Sequence, residues 1–384
     1  MIIELVGGQF VNQGAALMIR AVADRVRVAF PEATFAMGPG PWAPKVDRQR
    51  AGLRLKFPLR KRHLDLNRWS YGWPKGVYEA LAAQDLVVEG AVGAVLDLSG
   101  YAYGDRWGAL SLEAITSRLN RARRFRRPYV FLPPAFEPFK RLPLGALRAF
   151  GGALSSAAYV AVRDAESGAA LEALCPSGTR ILRVPDLTIG HPGDPSAGVE
   201  SGVDRGTALI IPNVRMLDSG SDGLGWDEGY IPLLRALAAA ARNAGLVPRV
   251  LNHSGREDRA LAESLGLSSV IEESDPVRTK GIIGAAGLVI SSRYHGCVSA
   301  LSQGVPCLAT SWSHKYQALF DDFRQRAAVL LAPDPAVAIE GLNDLLARRS
   351  EVERQLTQES AVQAFKVEAM WQEVLAILGR AALR

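Results

Sequence analysis

The sequence predicts an α/β protein of two doubly wound domains, and three observations lead there. The chain has 384 residues, too many for one ordinary hydrophobic core. Short apolar runs alternate with helical segments along most of its length, the rhythm of parallel sheets joined by crossover helices. That rhythm breaks at residues 190–206, a stretch rich in Gly, Pro, Ser and Asp, and then restarts. The expected division is a domain at 1–190, a linker, a domain at 206–350, and a C-terminal helical segment at 351–384.

In the first half, residues 2–6 read as a buried strand, Gly7-Gly8 as a permissive turn, and 15–29 as a helix stopped by Pro31. Asn12 precedes that helix, either as its N-cap or as a ligand contact. No G-x-G-x-x-G follows the strand, so a dinucleotide site is not expected. Residues 38–75 are rich in Pro, Trp and Arg and read as irregular. A helix at 76–83 precedes strands at 85–89, 95–100, 129–132 and 159–162, the last ending in Arg163-Asp164 before a helix from Ser167. Tyr101, Tyr103, Gly104, Asp105 and Trp107 form an aromatic and polar cluster that either stacks a sugar or packs a turn.

In the second half, a strand at 208–211 leads into Pro212-Asn213-Val214-Arg215. A helix spans 226–244, and a strand at 247–251 ends in Asn252-His253. Helices at 256–265 and 275–286 flank a short strand at 269–272. Next comes Leu288-Val289-Ile290, a continuous apolar run suited to a strand buried on both faces, with Ser291-Ser292-Arg293-Tyr294-His295 at its carboxyl end. Residues 296–303 suit a helix packed on a sheet, Gly304 its C-terminus, and 307–309 another strand. The terminal residues 336–383 are mostly helical, with Val367, Met370, Trp371, Val374 and Leu378 on one face.

Ligands of open α/β sheets bind beyond the carboxyl ends of the strands, near helix N-termini that favour anions. An arginine and a histidine two positions apart at such a place point to an anionic substrate and a proton to be moved. The plainer alternatives are that Arg293 pairs with a carboxylate and that His295 caps its helix. Asn213, Arg215 and His253 end neighbouring strands and Lys315 follows the next, so these groups are expected to converge on a crevice between the halves.

Composition narrows the remaining classes. The chain is 48% hydrophobic and 22% charged, as a globular protein is, and no apolar run reaches membrane-spanning length. The N-terminus lacks the basic region of a secretory leader. Cys175, Cys297 and Cys307 show no C-x-x-C spacing and read as buried thiols of a cytoplasmic protein, and the five histidines offer no metal-binding pair. The net charge of +6 permits an acidic partner, with bases concentrated at 60–62 and 121–127. A solvated helix face is the first reading of these clusters and a peripheral contact with anionic lipid head groups the second. Nucleic acid is not expected, because no aromatics are spaced as a stacking platform.

Taken together, these blocks resemble the polysaccharide pyruvyltransferase family, whose Rossmann-like domains are arranged as in the GT-B glycosyltransferases. The resemblance is carried by Asn12-x-Gly14, the Asp97/Gly100 segment, Val162-Arg163-Asp164 with Ser167, and Pro185-Asp186-Leu187. It is strongest at Ser292-Arg293-Tyr294-His295, followed by Ala300, Gly304-Val305-Pro306 and Lys315. Ala15 stands where the family usually has an acid.

The resemblance implies transfer of pyruvate from phosphoenolpyruvate to two hydroxyls of a sugar, giving a cyclic ketal, with no metal or organic cofactor. In that reading Arg293 and His295 are catalytic. Arg293, Ser292, Lys315, Arg215, Asn213 and His253 would bind phosphoenolpyruvate. Asn12, Asp97, Tyr101 and Tyr103 would bind the acceptor, a sugar or a lipid-linked oligosaccharide. Two other readings stand beside it. One is a glycosyltransferase using a nucleotide sugar, with Asp321 or Asp322 on the ribose; the other is a glycan-binding relative without catalysis.

Overall fold

The computed structural model describes residues 1–383 except 137, 219–224, 268 and 312, and omits the side chains of Tyr101, Ala102 and His314. The chain forms two compact units. One holds Met1–Phe10, Met18–Leu187 and Val367–Arg384; the other holds Val11–Leu17 and Thr188–Lys366. Two segments therefore depart from the expected division. Residues 11–17 belong with the second unit, and 367–384 with the first.

Among the described residues, the first unit carries a parallel eight-stranded sheet. Its spatial order is Leu182–Arg183, Tyr159–Val162, Tyr129–Phe131, Ala94–Asp97, Ile2–Val6, Thr34–Met37, Leu53–Lys56 and Leu86–Val87. Both faces are covered, as the unbroken apolar runs require. Ile3 and Leu5 face a core shared with Val367, Trp371 and Val374, whereas Ile2 and Val6 pack on the opposite core around Phe131 and Phe150.

The stretch read as irregular contributes the strand Leu53–Lys56 to this sheet and a hairpin, Arg60–Lys61 with Leu64–Asp65. Its apolar alternation is hidden because Lys56 is itself buried, 3.1 Å from Glu4 and 3.3 Å from Glu89. Arg118 reaches Glu4 at 3.0 Å, and Arg121 bridges Glu89 and Asp65. Arg60 and Arg121, one base from each expected basic cluster, therefore belong to an internal ion network.

The second unit has six parallel strands among its described residues. They lie in the order Val270–Ile271, Val247–Leu251, Thr207–Ile211, Leu288–Ser291, Cys307–Thr310 and Val329–Leu330. The first strand of the unit is central, so the order reverses between Thr207–Ile211 and Leu288–Ser291, with Ile211 opposite Ser291. This is the switch point at which doubly wound sheets bind ligands.

The expected linker is part of this unit. Helix Ser196–Glu200 buries Ala197 completely, Asp194 donates its amide to Val277, and Lys280 donates to the Thr188 carbonyl at 2.7 Å. The expected C-terminal helical segment is a helix whose residues divide between the two units. One helix, Arg349–Ala382, buries Val352 and Leu356 in the second core and Val367 to Leu378 in the first.

Candidate active site

The site grows from the end of Leu288–Ser291. Ser292 follows, fully buried, and its groups are taken up by the protein. Its carbonyl accepts from Asn213 Nδ2 at 2.9 Å and from Tyr316 Oη at 2.7 Å. Its hydroxyl lies between Tyr230 Oη and Thr310 Oγ1, the latter at 2.6 Å. Burial raises the Tyr230 pKa, outweighing the lowering effect of its hydrogen bonds to Ser292 and the Asn213 amide, so its hydroxyl stays protonated and able to donate. Asn213 Oδ1 is also engaged, accepting from the Arg215 amide at 3.1 Å. Ser292 and Asn213 thus clamp two strand ends at the switch point rather than offering themselves to a ligand.

The clamp fixes what comes next. Arg293 is the N-cap residue of helix Tyr294–Leu301, and its Nε and Nη2 both engage Asp258 Oδ2. Asp258 is fully buried and accepts the Val214 amide with its other oxygen at 3.0 Å. The carboxylate partner is therefore real. It holds the guanidinium in one orientation and leaves Nη1 without a partner among the described residues. Asp258 escaped the sequence reading because an acid in the first turn of a helix, here Gly255–Ser264, ordinarily serves only the helix dipole.

His295 occupies the second position of its helix, and its imidazole lies against Gly14. A Cβ built on Gly14 would fall 2.2 Å from His295 Cγ and 2.3 Å from its Nδ1. Only glycine permits this approach. The Asn12-x-Gly14 turn and the Arg293-Tyr294-His295 turn are thus two halves of one constellation within the second unit. Asn12 Oδ1 accepts from the Gly14 amide at 2.9 Å, the capping role, while the Gln13 amide donates to the His253 carbonyl at 3.1 Å.

His253 is buried beside Arg293 and His295. Burial first, then those two charges, push its pKa down to about 3, so its imidazole is neutral at any working pH. Its Nδ1 has no hydrogen-bond partner among the described residues. Lys315 is nearly buried, with Nζ 5.5 Å from the centre of the Tyr294 ring, which in turn meets the His295 ring edge-on at 5.5 Å.

The remaining expected site residues lie elsewhere. Arg215 is two-thirds exposed and pairs with Asp218 at 3.0 Å, so it stands outside the cluster. In the first unit Asp97 is fully buried: it accepts from the Ser99 amide at 3.0 Å and from the hydroxyls of Tyr103 and Tyr129. Tyr103 is stacked on Phe136. Asp97 and Tyr103 are core, not acceptor contacts, because their polar atoms are consumed by one another. Tyr101 lies on a strand, and its side chain falls outside the described residues. Asp321 closes helix His314–Asp322 and pairs with Arg326. Among the described residues no group of three or more His, Cys, Asp or Glu could hold a metal ion.

A model of the polysaccharide pyruvyl transferase family matches residues 12–314, from the Asn12 cap to the residue after Ser313. The chain belongs to that family.

No functionally curated protein matches it. Among solved structures it resembles Anabaena Alr3699/HepE in complex with UDP, at 12% identity, TM-score 0.58 and 99% coverage of both chains. It also resembles the UDP-GlcNAc 2-epimerase of Neisseria meningitidis bound to UDP-GlcNAc, at 11% identity and TM-score 0.57, covering 98% of this chain and 100% of that one. These likenesses are of fold, that of the GT-B enzymes. Within this pyruvyl transferase chain the motif residues of the first unit are structural: Arg163 pairs with buried Asp186 at 3.2 Å, and Asp164 caps helix Ala165–Glu172 through the Ser167 amide.

Proposed function

We propose that the protein transfers the pyruvyl group of phosphoenolpyruvate to two hydroxyls of a sugar, forming a cyclic ketal on a cell-surface polysaccharide or its precursor. One observation carries the reading: an imidazole held against glycine beside a guanidinium oriented by a buried carboxylate, both at a helix N-terminus on the switch point. That grouping suits a small polyanion that must also receive a proton.

Phosphoenolpyruvate carries a carboxylate and a phosphate, and Arg293 Nη1 with Lys315 would meet them. His295 would protonate the enol methylene carbon, leaving positive charge at C2 for the first sugar hydroxyl to attack. That hydroxyl loses its proton, the C2–O bond to phosphate breaks, and the second hydroxyl closes the ring. Of the two hydroxyl protons, one balances the methyl group formed and the other leaves with phosphate. His253, neutral beside Arg293 and His295, would hydrogen-bond the substrate without adding charge. A donor drawn from central metabolism places the reaction in the cytoplasm.

The competing reading, a nucleotide-sugar site, is favoured by the UDP ligands of the fold relatives. Phosphate release from phosphoenolpyruvate, measured with a panel of glycosides, tests the proposal. Turnover should fall roughly 10²–10⁴-fold in His295→Gln with donor binding retained. Binding of phosphoenolpyruvate without phosphate release on any glycoside would leave a glycan-binding relative instead.

A further inference from the structure

We propose that the outer face of the Arg60–Asp65 hairpin and the adjoining end of helix Gly108–Arg124 is a docking surface for an anionic phospholipid bilayer. Among the described residues no helix is long and apolar enough to cross a membrane, and the contact proposed is a peripheral one. The inference does not depend on pyruvyl transfer.

The hairpin pairs Arg60 with Asp65 and Lys61 with Leu64, and the Leu66 amide extends the ladder to the Leu59 carbonyl at 2.8 Å. Paired residues share a face and successive ones alternate. Arg60 and Asp65 therefore point inward, where Arg121 Nη1 meets Asp65 at 2.7 Å. Leu59, Lys61, Leu64 and Leu66 point outward. The ion network thus explains the inner bases and leaves the outer face unexplained.

That outer face is amphipathic in the manner of a membrane interface. Leu64 and Trp69, close in sequence, are each 62% exposed, although large apolar side chains are mostly covered in folded proteins. Arg68 lies 5.5 Å over the Trp69 ring. The helix end is fastened to the same body, since Phe125 stacks on Tyr71 at 3.7 Å and carries Arg124 above it at 5.9 Å. Lys61, Arg62, Arg68, Arg123 and Arg124 are all exposed. Besides Asp65 on the inner face, Glu113 meets the hairpin, 3.2 Å from His63.

Exposed leucine and tryptophan between bases is the composition that inserts side chains below a layer of anionic head groups. A single-stranded nucleic acid would instead need a run of stacking rings, whereas the exposed aromatics flanking the hairpin in sequence, Phe57 and Trp69, stand singly on either side of it.

The test is co-sedimentation of the full chain with vesicles of phosphatidylglycerol and phosphatidylcholine, against vesicles of phosphatidylcholine alone, at low and high salt. Binding should require the anionic lipid and be lost at high salt. The triple variant Lys61→Ser, Arg62→Ser, Arg124→Ser should weaken it about fivefold per charge removed. Leu64→Ser with Trp69→Ser should weaken it with net charge unchanged. A control triple, Arg242→Ser, Arg256→Ser and Arg354→Ser, removes equal charge from exposed positions of the other unit. Circular dichroism checks that each variant is folded. Absence of binding, an equal loss in the control triple, or retention of polyuridylate in preference to vesicles would each overturn the proposal.

Discussion

Gly14→Ala is the perturbation that the site geometry predicts most sharply. The added methyl would lie 2.2 Å from His295 Cγ, where carbon atoms ordinarily stay about 3.5 Å or more apart, so the ring or the turn must move by roughly 1.3 Å. A displacement of that size at a reacting group costs on the order of 10²-fold in rate. Stability should change far less. Overpacking costs about 1–3 kcal/mol, and alanine recovers up to about 1 kcal/mol over glycine inside a helix such as Gln13–Ala29. The assay is phosphate release from phosphoenolpyruvate, read beside the thermal melt, with Gly152→Ala as control. Gly152 lies in helix Leu144–Leu154 with no atom within 4 Å of its added Cβ, so that variant should keep activity and gain slightly in stability. Parental turnover in Gly14→Ala would refute the reasoning, as would an equal loss in the control.

Three other outcomes are expected. Arg293→Ala should cost about 1.5–3 kcal/mol of phosphoenolpyruvate binding, and Asp258→Asn a part of that, because the guanidinium would remain but lose its orientation; calorimetry of the pair checks the order. His253 has its folded pKa depressed to about 3, so between there and its unfolded value near 6.5 the unfolded chain binds the extra proton. The stability that His253 contributes is complete above that window and lost as pH falls through it, by up to about 1.4 kcal/mol per pH unit; urea midpoints of the parent should drop more steeply with acid than those of His253→Asn. Asp97→Ala should destabilise the first unit by about 1–3 kcal/mol for each stranded tyrosine hydroxyl, lowering the melting temperature while leaving phosphoenolpyruvate affinity at the parental value.

Legibility in the sequence followed burial pattern. The run buried on both faces at Tyr159–Val162 was readable to the residue, and so was the strand Val247–Leu251, although its first residue is exposed. Leu53–Lys56 was not, because its buried lysine is tolerable only through Glu4 and Glu89, which are distant in sequence. The same logic divides the site. Arg293 and His295 stood out because a strand end and a helix start are local features. That Asp97 is core and that Gly14 seats an imidazole both depend on contacts between residues far apart, which no local pattern reports. Ser292 illustrates the converse error: a polar residue at a ligand-binding edge can be wholly occupied in holding that edge together.

The most direct measurement is calorimetric titration of the parent and of Arg293→Ala with phosphoenolpyruvate and, separately, with UDP-sugars. The account predicts that phosphoenolpyruvate binds the parent, that binding weakens about 10- to 150-fold in Arg293→Ala, and that UDP-sugars give no heat. Tight UDP-sugar binding with no response to phosphoenolpyruvate would contradict it and assign the switch-point site to nucleotide-sugar chemistry.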